Sequence, residues 1–566
     1  MNAAANESTV AYFVRKFQGY TQQMAKDPKT EAQEAVDRII ASQSRKKLVV
    51  AGPGAGKTYL FRKLLDAALG NRHQRLVLTF INSLKEDLAN SLGDASDVFT
   101  LHGYCQYLLH RHESLRGGLS DGFRCYPTGP THGLISLIRK DWEWLQRSDA
   151  PHFVKLMRDL ECTDEQFGFY KMRANYYDAV DFDDSVYRTY RELISDRTKV
   201  PDYMLVLIDE FQDFNKMEAG VIDLLAEKNS IVIAGDDDQA LYSKLRGASW
   251  DYIRNHHLSG HYDRFELPFC MRCPRVIVGA VNDIIEKALA KANLAGRIAK
   301  PYRYYEPIKG ADSALYPHIG LIDTSVHRLN ANYFGRYIEK CLRAISQADK
   351  DAAAEKHEPV ALIIGSDPYR SQVRQHLVNA GLVTNEAKDE ISLREEALQI
   401  LSQDPNSNLG WRILLASGPG ATARDIITQA AQKNVPLYTL IADTERAAII
   451  AEATAWVAAH GEVDLAEEPV EKTAGVAVTS FQGSKGRSAQ YVFIVGLHSG
   501  EMPRNEAAID DFEICCFLVG LTRTKKKCDV LFARNANGRW KNPSEFLTWI
   551  RPERFQTVQV NAAYFA

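Results

Sequence analysis

The sequence lacks any run of about 18 apolar residues, and it does not open with basic residues followed by an apolar stretch. Neither a membrane helix nor a secretory signal is therefore expected, and a cytoplasmic location is the resulting prediction. The chain also lacks a charge excess, since 69 Lys and Arg stand against 72 Asp and Glu. This balance disfavours a protein that coats nucleic acid, but not one that grips DNA in a local groove.

Cysteine is scarce, with nine residues scattered along 566. An odd, dispersed set suits a reducing compartment better than a disulfide framework. The pairs Cys270/Cys273 and Cys515/Cys516 leave a zinc or iron–sulfur site open as an alternative. Because adjacent cysteines are poor tetrahedral ligands, buried free thiols are the favoured interpretation.

At 566 residues the chain is too long for one ordinary domain. Short apolar runs alternate with helical patterns, which predicts parallel sheets. The predicted buried strands, beyond the first apolar run at 48–50, are 76–80, 204–208, 231–234, 360–364, 476–479 and 491–495. Residues 1–30 are interpreted as a helix packed on the first domain, and 346–358 as a solvated linker or exposed helix. We conclude that the chain is an α/β protein of several domains.

A glycine-rich turn follows the first apolar run, and its small residues are Gly52, Gly54, Ala55 and Gly56. Small residues let backbone N–H groups converge on phosphate oxygens, and the following helix N-terminus adds a positive dipole. Lys57 is predicted to reach the β- and γ-phosphates, and the Thr58 hydroxyl to ligate Mg²⁺. The position of the turn directly after an apolar strand makes the prediction more specific than the pattern alone.

Two adjacent carboxylates, Asp209 and Glu210, end the predicted strand 204–208. Asp209 is predicted to hold Mg²⁺, largely through water, as this hard ion prefers. Glu210 is predicted to orient and deprotonate the attacking water. A solvated acidic turn is the alternative, and it is disfavoured by the Lys57 loop upstream.

These two segments resemble motifs I and II of superfamily 1 helicases, and the form Asp-Glu-Phe-Gln-Asp at 209–213 resembles the UvrD/Rep/PcrA branch. Further segments match the remaining motifs in order: 79–82, 100–103, 181–184, 235–239 with 246–248, 267–274, 480–486 and 519–525. The resemblance spans residues 33 to 525. It implies an α/β fold with two RecA-like P-loop parallel-sheet motor domains, each with a mainly helical insertion.

The implied domain boundaries divide the chain into six segments. The first motor domain comprises 1–104 and 181–265, with a helical insertion at 105–180. The second comprises 266–370 and 472–566, with a reduced helical insertion at 371–471.

The resemblance also implies roles for residues around ATP and Mg²⁺. Gln33 matches the glutamine that reads adenine, and Gln239 the one that senses the γ-phosphate. Arg272 and Arg523 match two arginines that the second motor domain contributes to the triphosphate. Guanidinium groups from another domain stabilise the charge of the transition state and couple cleft closure to the nucleotide.

The resemblance implies single-stranded DNA as a partner, held by a cationic groove and aromatic faces. Phe80, Asn82, His102 and Tyr242 match positions that contact the strand. Alternatives stay open for three of them. Phe80 is equally a core residue, His102 a helix cap, and Tyr242 a support for the loop at 235–239.

Several positions depart from the family pattern. Met271 replaces the tyrosine that stacks on adenine, and Tyr59 is a candidate to compensate for it. Gly486 is followed by Arg-Ser where the family has Leu-Glu, which leaves the ribose contact open. The aromatic base platform expected shortly after Tyr242 is also absent.

The leading functional prediction is an ATP-dependent translocase or helicase on single-stranded DNA and DNA junctions, with 3′→5′ polarity. Because the second insertion is short, a regulatory ATPase or DNA sensor that controls a partner nuclease is the alternative, as in Gabija-type anti-phage systems. A P-loop kinase or GTPase is disfavoured by the segments around Asp209, Arg272 and Arg523.

Overall fold

The computed structural model of the chain describes residues 26–126, 133–242, 246–328, 331–383, 392–461 and 475–566. Most of the helix predicted for residues 1–30 lies outside these ranges. No helix within them is long and apolar enough to cross a membrane.

The first sheet has six parallel strands in the order β3-β2-β6-β7-β1-β8. The strands are β1 Lys46–Ala51, β2 Arg75–Thr79, β3 Asp97–Thr100, β6 Leu205–Ile208, β7 Ile231–Gly235 and β8 Asp263–Leu267. The central strands are continuous apolar runs with buried side chains, as expected for a parallel sheet covered by helices on both faces. The P-loop after β1 and the carboxylates after β6 therefore lie at the same edge of the sheet, at the carboxyl ends of two strands that β7 separates.

The second sheet has eight strands, and its central order is β11-β16-β15-β13-β14. These strands pair in parallel, and β18 also pairs in parallel with β11. Their bounds are β11 Ile319–Arg328, β12 Ala331–Asn332, β13 Ala361–Gly365, β14 Val476–Thr479, β15 Ala489–Val495, β16 Thr524–Ala536, β17 Arg539–Trp540 and β18 Phe555–Val560. Two short pairs complete the set: β4 Arg124–Cys125 with β5 Ala179–Val180, and β9 Phe269–Cys270 with β10 Arg303–Tyr304.

Helices connect the strands of both sheets. Those in the first half of the chain are α1 Pro28–Ala41, α2 Lys57–Ala67, α3 Asn82–Leu92, α4 Leu101–Arg111, α5 Glu113–Arg116, α6 Leu134–Gln146, α7 Phe153–Arg158, α8 Asp164–Tyr177, α9 Phe182–Ser195, α10 Lys216–Lys228 and α11 Asp251–Leu258. Those that follow are α12 Arg275–Ala290, α13 Glu306–Leu315, α14 Tyr333–Arg343, α15 Gln347–Ala354, α16 Tyr369–Asn379, α17 Leu393–Gln403, α18 Asn408–Ala416, α19 Gly420–Lys433, α20 Asp443–His460, α21 Asp511–Thr522 and α22 Glu545–Trp549.

The strand predictions agree with the structure to within two residues at each end. No clear sequence signal marks β8, which reads Asp-Arg-Phe-Glu-Leu and is exposed along most of its length at the sheet edge. Of the two alternatives for 346–358, a linker or an exposed helix, the structure has a helix, α15. The chain therefore has a parallel α/β architecture built on two sheets.

The helices of the two insertions share one apolar core. Trp411 of α18 is buried in the same cluster as Ile138 of α6 and Tyr170 of α8. In contrast, α16 packs against the second sheet and α14. The part of the second insertion that extends from α17 to α20 thus lies against the first insertion.

Candidate nucleotide site and interdomain cleft

The P-loop lies between β1 and α2, and it owes its shape to two glycines. Gly54 has φ +70° and Gly56 has φ +87°, values that side chains with a Cβ rarely adopt. Ala55 is buried beneath the turn, and Lys57 begins α2. Thr58 follows in the first turn with an exposed side chain. The turn therefore has the backbone form that lets successive N–H groups face an anion.

The segment that follows β8 covers this loop at close range. A Cβ added to Gly52 would lie 2.6 Å from the Tyr302 ring, and one added to Gly54 would lie 2.5 Å from the Arg272 Cβ. The Met271 N–H donates to the Gly54 carbonyl at 2.8 Å, and the Tyr302 hydroxyl donates to that of Pro53 at 3.2 Å. The loop thus lies at the closed cleft between the two sheets.

Lys57 reaches the two carboxylates that follow β6. Its Nζ lies 2.7 Å from Glu210 Oε1 and 4.0 Å from Asp209 Oδ1. Burial by itself would lower the pKa of Lys57, but the two carboxylates raise it above its ordinary value. Burial favours the protonated form of Glu210, yet Lys57 and Lys485 hold its pKa below the ordinary range. The ion pair thus keeps Glu210 charged.

Asp209 has a different environment from Glu210. Burial, opposed by Lys57 and reinforced by the charge of Glu210, raises the pKa of Asp209 to about 6. Its Oδ1 atom is buried and has no hydrogen-bond partner among the described residues. A buried carboxylate oxygen without a donor fits a ligand of Mg²⁺.

Glu210 has a left-handed backbone with φ +53°, which is unusual for a residue with a side chain. Such a conformation costs about 1–2 kcal/mol and persists only where neighbouring contacts enforce it. The Glu210 side chain is held by Lys57 and by the Gln212 amide, whose Nε2 donates to Glu210 Oε2 at 2.6 Å. The strained turn aims the carboxylate into the cleft.

Gln239 and the two predicted arginines meet on the other side of the site. Arg523 follows α21, is 3% exposed, and its Nη2 donates to Gln239 Oε1 at 3.2 Å. Arg272 Nη1 donates to the Thr522 carbonyl at 3.3 Å. Burial and the neighbouring Arg272 charge lower the pKa of Arg523 to about 10. Two guanidinium groups so near each other fit an anionic ligand such as a triphosphate.

Lys485 is a site residue that the sequence interpretation did not single out. Its side chain is buried and its Nζ donates to the Gln239 carbonyl at 2.6 Å. It also forms an ion pair with Asp213 and lies 3.7 Å from Glu210 Oε2. Its position inside the matched segment 480–486 was the available signal, but a lysine in a polar turn has no distinctive pattern.

The predicted base and ribose contacts are more dispersed. Gln33 is exposed on α1 and donates to Asp37, while Tyr59 is 47% exposed on α2. Met271 lies near the P-loop, with its Sδ 3.7 Å from a Cβ built on Gly56. Gly486 has φ +79° in the turn before β15. Their roles toward the nucleotide stay predictions.

The predicted DNA contacts form a cluster beside the nucleotide site, with one exception. Phe80 is 3% exposed, and its ring centroid lies 4.7 Å from that of Tyr242. His102 is buried on α4 and accepts from Arg246 at 3.0 Å, and Arg246 also covers the Phe80 ring. Asn82 is instead exposed at the start of α3. In this closed arrangement Phe80 and His102 face protein, so a role in DNA contact stays a prediction.

The paired cysteines are buried free thiols. Cys270, Cys273, Cys515 and Cys516 are buried, and no disulfide links any cysteine in the described ranges. Among the described residues, only Asp236, Asp237 and Asp238 form a group with metal-ligand spacing. The cysteines thus take part in packing beside the cleft.

Comparison with known proteins finds one family model and several DNA helicases that are similar to this chain. A family model described as an AAA domain matches residues 32–244. The ATP-dependent DNA helicase PcrA of Staphylococcus aureus strain Mu50 is 24% identical over 399 residues, which cover 61% of this chain and 53% of that protein. The PcrA of Staphylococcus epidermidis strain RP62A is 23% identical over 449 residues, which cover 70% and 58% respectively. The chain thus spans a little over half the length of these relatives.

Two parallel sheets that meet at a P-loop define this chain as a protein of the RecA-like, P-loop class. Within this class the chain is similar to the PcrA helicases, in agreement with its resemblance to the UvrD/Rep/PcrA branch.

Proposed function

We propose that the chain hydrolyses ATP at the cleft between its two sheets and uses the cycle to move along single-stranded DNA. The observation that carries this proposal is the convergence of Lys57, Glu210 and Gln239, which follow strands of the first sheet, with two arginines from later segments. Arg272 follows β9, and Arg523 lies between α21 and β16 of the second sheet. Charged groups supplied from both sides of a cleft couple nucleotide state to domain closure. The PcrA relatives, described as ATP-dependent DNA helicases, support the same activity.

The side chains divide the chemistry as follows. Glu210, which Lys57 and Lys485 keep ionised in the nucleotide-free protein, accepts the proton of the attacking water. Lys57, Arg272 and Arg523 stabilise the negative charge that develops on the transferred phosphoryl group. Thr58 and Asp209 would hold Mg²⁺, which neutralises phosphate charge when bound. In this scheme binding of the triphosphate replaces Glu210 as the partner of Lys57.

The proposed DNA track consists of Phe80, His102, Tyr242 and Asn82. The Tyr242 hydroxyl donates to the Gln482 carbonyl at 3.4 Å, so the cluster touches both halves of the chain. A strand that stacks on Phe80 or Tyr242 must first separate these contacts. DNA binding and cleft movement are therefore coupled in this proposal, and we assign the movement the 3′→5′ polarity of the resemblance.

The test is steady-state ATP hydrolysis with and without single-stranded DNA, with Lys57→Ala as the inactive variant. We expect DNA to raise kcat at least about 10-fold. We expect Lys57→Ala to lower kcat about 100-fold or more, because the variant lacks the ammonium group that would stabilise the phosphate charge. Arg62→Ala is a matched control, because Arg62 lies on the same helix α2 and forms its described ion pairs with the exposed carboxylates of Asp66 and Asp94. Hydrolysis that survives in Lys57→Ala would contradict the proposed site.

A regulatory role is the second candidate. Helices α17–α20 of the second insertion pack on the first insertion, and the resemblance makes the second insertion, at 371–471, a reduced one. Both features support a specialised ATPase or DNA sensor that controls a partner nuclease in anti-phage defence. ATP hydrolysis without DNA stimulation, together with co-purification of a nuclease, would favour this role over translocation.

A further inference from the structure

Three consecutive aspartates follow β7 and are buried in the cleft. Asp236, Asp237 and Asp238 are 0%, 1% and 4% exposed. Three buried carboxylates repel one another strongly unless cations balance them. Their partners therefore decide whether the turn that carries Gln239 can hold its shape.

Three cations balance the aspartates. Lys300 Nζ lies 2.7 Å from Asp236, 2.9 Å from Asp237 and 2.7 Å from Asp238. Arg297 forms a bidentate pair with Asp238 at 2.6 and 2.9 Å. Arg254 of α11 donates to Asp237 at 2.9 Å. The ammonium group occupies the centre of the carboxylates, so the cluster is an ion-pair network and not a cation site.

The segment that carries Arg297 and Lys300 belongs to the second half of the chain. Just before it, the Asn293 amide and the Leu294 N–H both donate to Asp511 at 2.9 Å. Asp511 begins α21, the helix that Arg523 follows. The segments that carry Lys300 and Arg523 are therefore linked through Asp511, and both reach the turn after β7.

A continuous chain of hydrogen bonds links this turn to the hydrolytic groups. Gln239 Nε2 donates to Asp236 Oδ2 at 2.6 Å, and the Asp236 N–H donates to Gln212 Oε1 at 2.9 Å. Gln212 Nε2 donates in turn to Glu210 Oε2 at 2.6 Å. At the other end Gln239 Oε1 accepts from Arg523. Asp236 is the centre of this chain.

The charge of Asp236 determines how the Gln239 amide is oriented. An ionised carboxylate only accepts hydrogen bonds, so it selects the NH₂ group of Gln239 and leaves the amide oxygen for Arg523. Burial raises the pKa of Asp236, and Lys300, whose Nζ lies 2.7 Å away, opposes this shift and favours the ionised form. We propose that Lys300, supported by Arg297, is a positioning residue that aligns Gln239, and through Gln212 also Glu210, when the two halves of the chain close.

The first test is hydrogen exchange of the nucleotide-free protein, which requires no activity. In Lys300→Met we expect the amides of 236–239 and of Ile298, which donates to Asp237 at 2.8 Å, to exchange at least about 10-fold faster. Lys291→Met is the control, because Lys291 pairs with Glu545 at the surface, away from the turn. Unchanged exchange at 236–239 would overturn the proposal.

The second test rests on the proposed ATPase and uses a double-mutant cycle with Gln239→Ala. We expect Lys300→Met to lower kcat about 10- to 100-fold with KM changed less than about 3-fold. In the Gln239→Ala background its effect should be clearly smaller, because only the path through Gln212 to Glu210 remains. Additive losses, or a raised KM with unchanged kcat, would overturn the positioning role. If the wild-type chain does not hydrolyse ATP, the proposed function fails, while hydrogen exchange still decides whether Lys300 holds the turn.

Loss of Lys300 leaves an uncompensated buried charge, so Lys300→Met is itself at risk of misfolding. The variant Lys300→Met/Asp237→Asn restores the charge balance without restoring the contact to Asp236. We expect it to fold, to keep a low kcat and to exchange fast at 236–239. Recovery of wild-type kcat and exchange in this variant would show that Lys300 serves charge balance only. Lys300→Arg keeps the charge near Asp236 and is expected to recover part of kcat.

Discussion

At the scale of single residues, burial decides what a titratable side chain can do. His327 ends β11, is fully buried, and its ring stacks on Phe334 at a centroid distance of 4.1 Å. Burial, only partly offset by Gln372, lowers the pKa of His327 to about 3. Its neutral form is therefore part of the native packing, whereas an unfolded chain protonates it near pH 6.5.

This difference predicts a loss of stability in acid. Below about pH 6.5 the unfolded state binds a proton that the native state excludes, so the free energy of unfolding falls by up to about 1.4 kcal/mol per pH unit down to the native pKa. His327→Phe keeps the ring stack without the titration. We expect a smaller drop in its melting temperature between pH 7 and pH 5 than in the wild type. His318→Gln, an exposed control, should retain the wild-type drop, and an equal drop in His327→Phe would contradict the assignment.

At the scale of elements, the P-loop is a turn whose glycines serve two purposes. Gly54 supplies a left-handed backbone, and it also leaves space for Arg272 from across the cleft. Gly381 after α16 has nearly the same φ, +69°, but a Cβ there would meet nothing within 4 Å. Variants at these two positions therefore distinguish the effect of backbone strain from the effect of packing in the cleft.

We therefore expect Gly54→Ala and Gly381→Ala each to be destabilised by about 1–2 kcal/mol of backbone strain. Only Gly54→Ala also pushes Arg272 away from the P-loop. ATP hydrolysis should fall at least about 10-fold in Gly54→Ala and remain near wild type in Gly381→Ala. Steady-state kinetics together with melting temperatures measure both effects. Equal activity in the two variants would show that close packing on Gly54 does not matter.

At the scale of the whole molecule, a buried ion network joins the two insertions. Asp141 of α6 is fully buried and accepts from Arg173 of α8 at 2.9 Å and from Arg412 of α18 at 3.0 Å. Arg412 comes from the other half of the chain, 271 residues away. The contact fixes the second insertion against the first and limits its independent rotation.

Removal of Asp141 leaves two buried guanidinium groups without their carboxylate. We expect Asp141→Ala to destabilise the protein by about 3–5 kcal/mol and to expose α17–α20 to limited proteolysis. Glu143→Ala, which removes a surface partner of Lys140 on the same helix, should cost less than about 1 kcal/mol. Chemical denaturation measures both, and similar stability of the two variants would contradict a structural link through Asp141.

Much of the fold was predictable because its signals are local. A parallel strand buried on both faces is a short apolar run, so β1, β6, β7 and β13 are visible in the sequence. In contrast, the edge strand β8 carries Asp263 and Glu266 and has no such run. Its pairing with β1 depends on an unpaired sheet edge rather than on its own composition.

The sequence alone determined the P-loop, the carboxylates Asp209 and Glu210 and the candidate arginines, because each is a set of residue types at a short spacing. Only the tertiary structure decided that Phe80 and His102 are buried, that Lys485 reaches Gln239, and that Lys300 lies among three aspartates. These contacts join residues 62 or more positions apart along the chain. Coulomb attraction and burial depend on distance in space and not on separation along the chain. The residues around a lysine in the sequence therefore do not indicate which distant carboxylate it will contact.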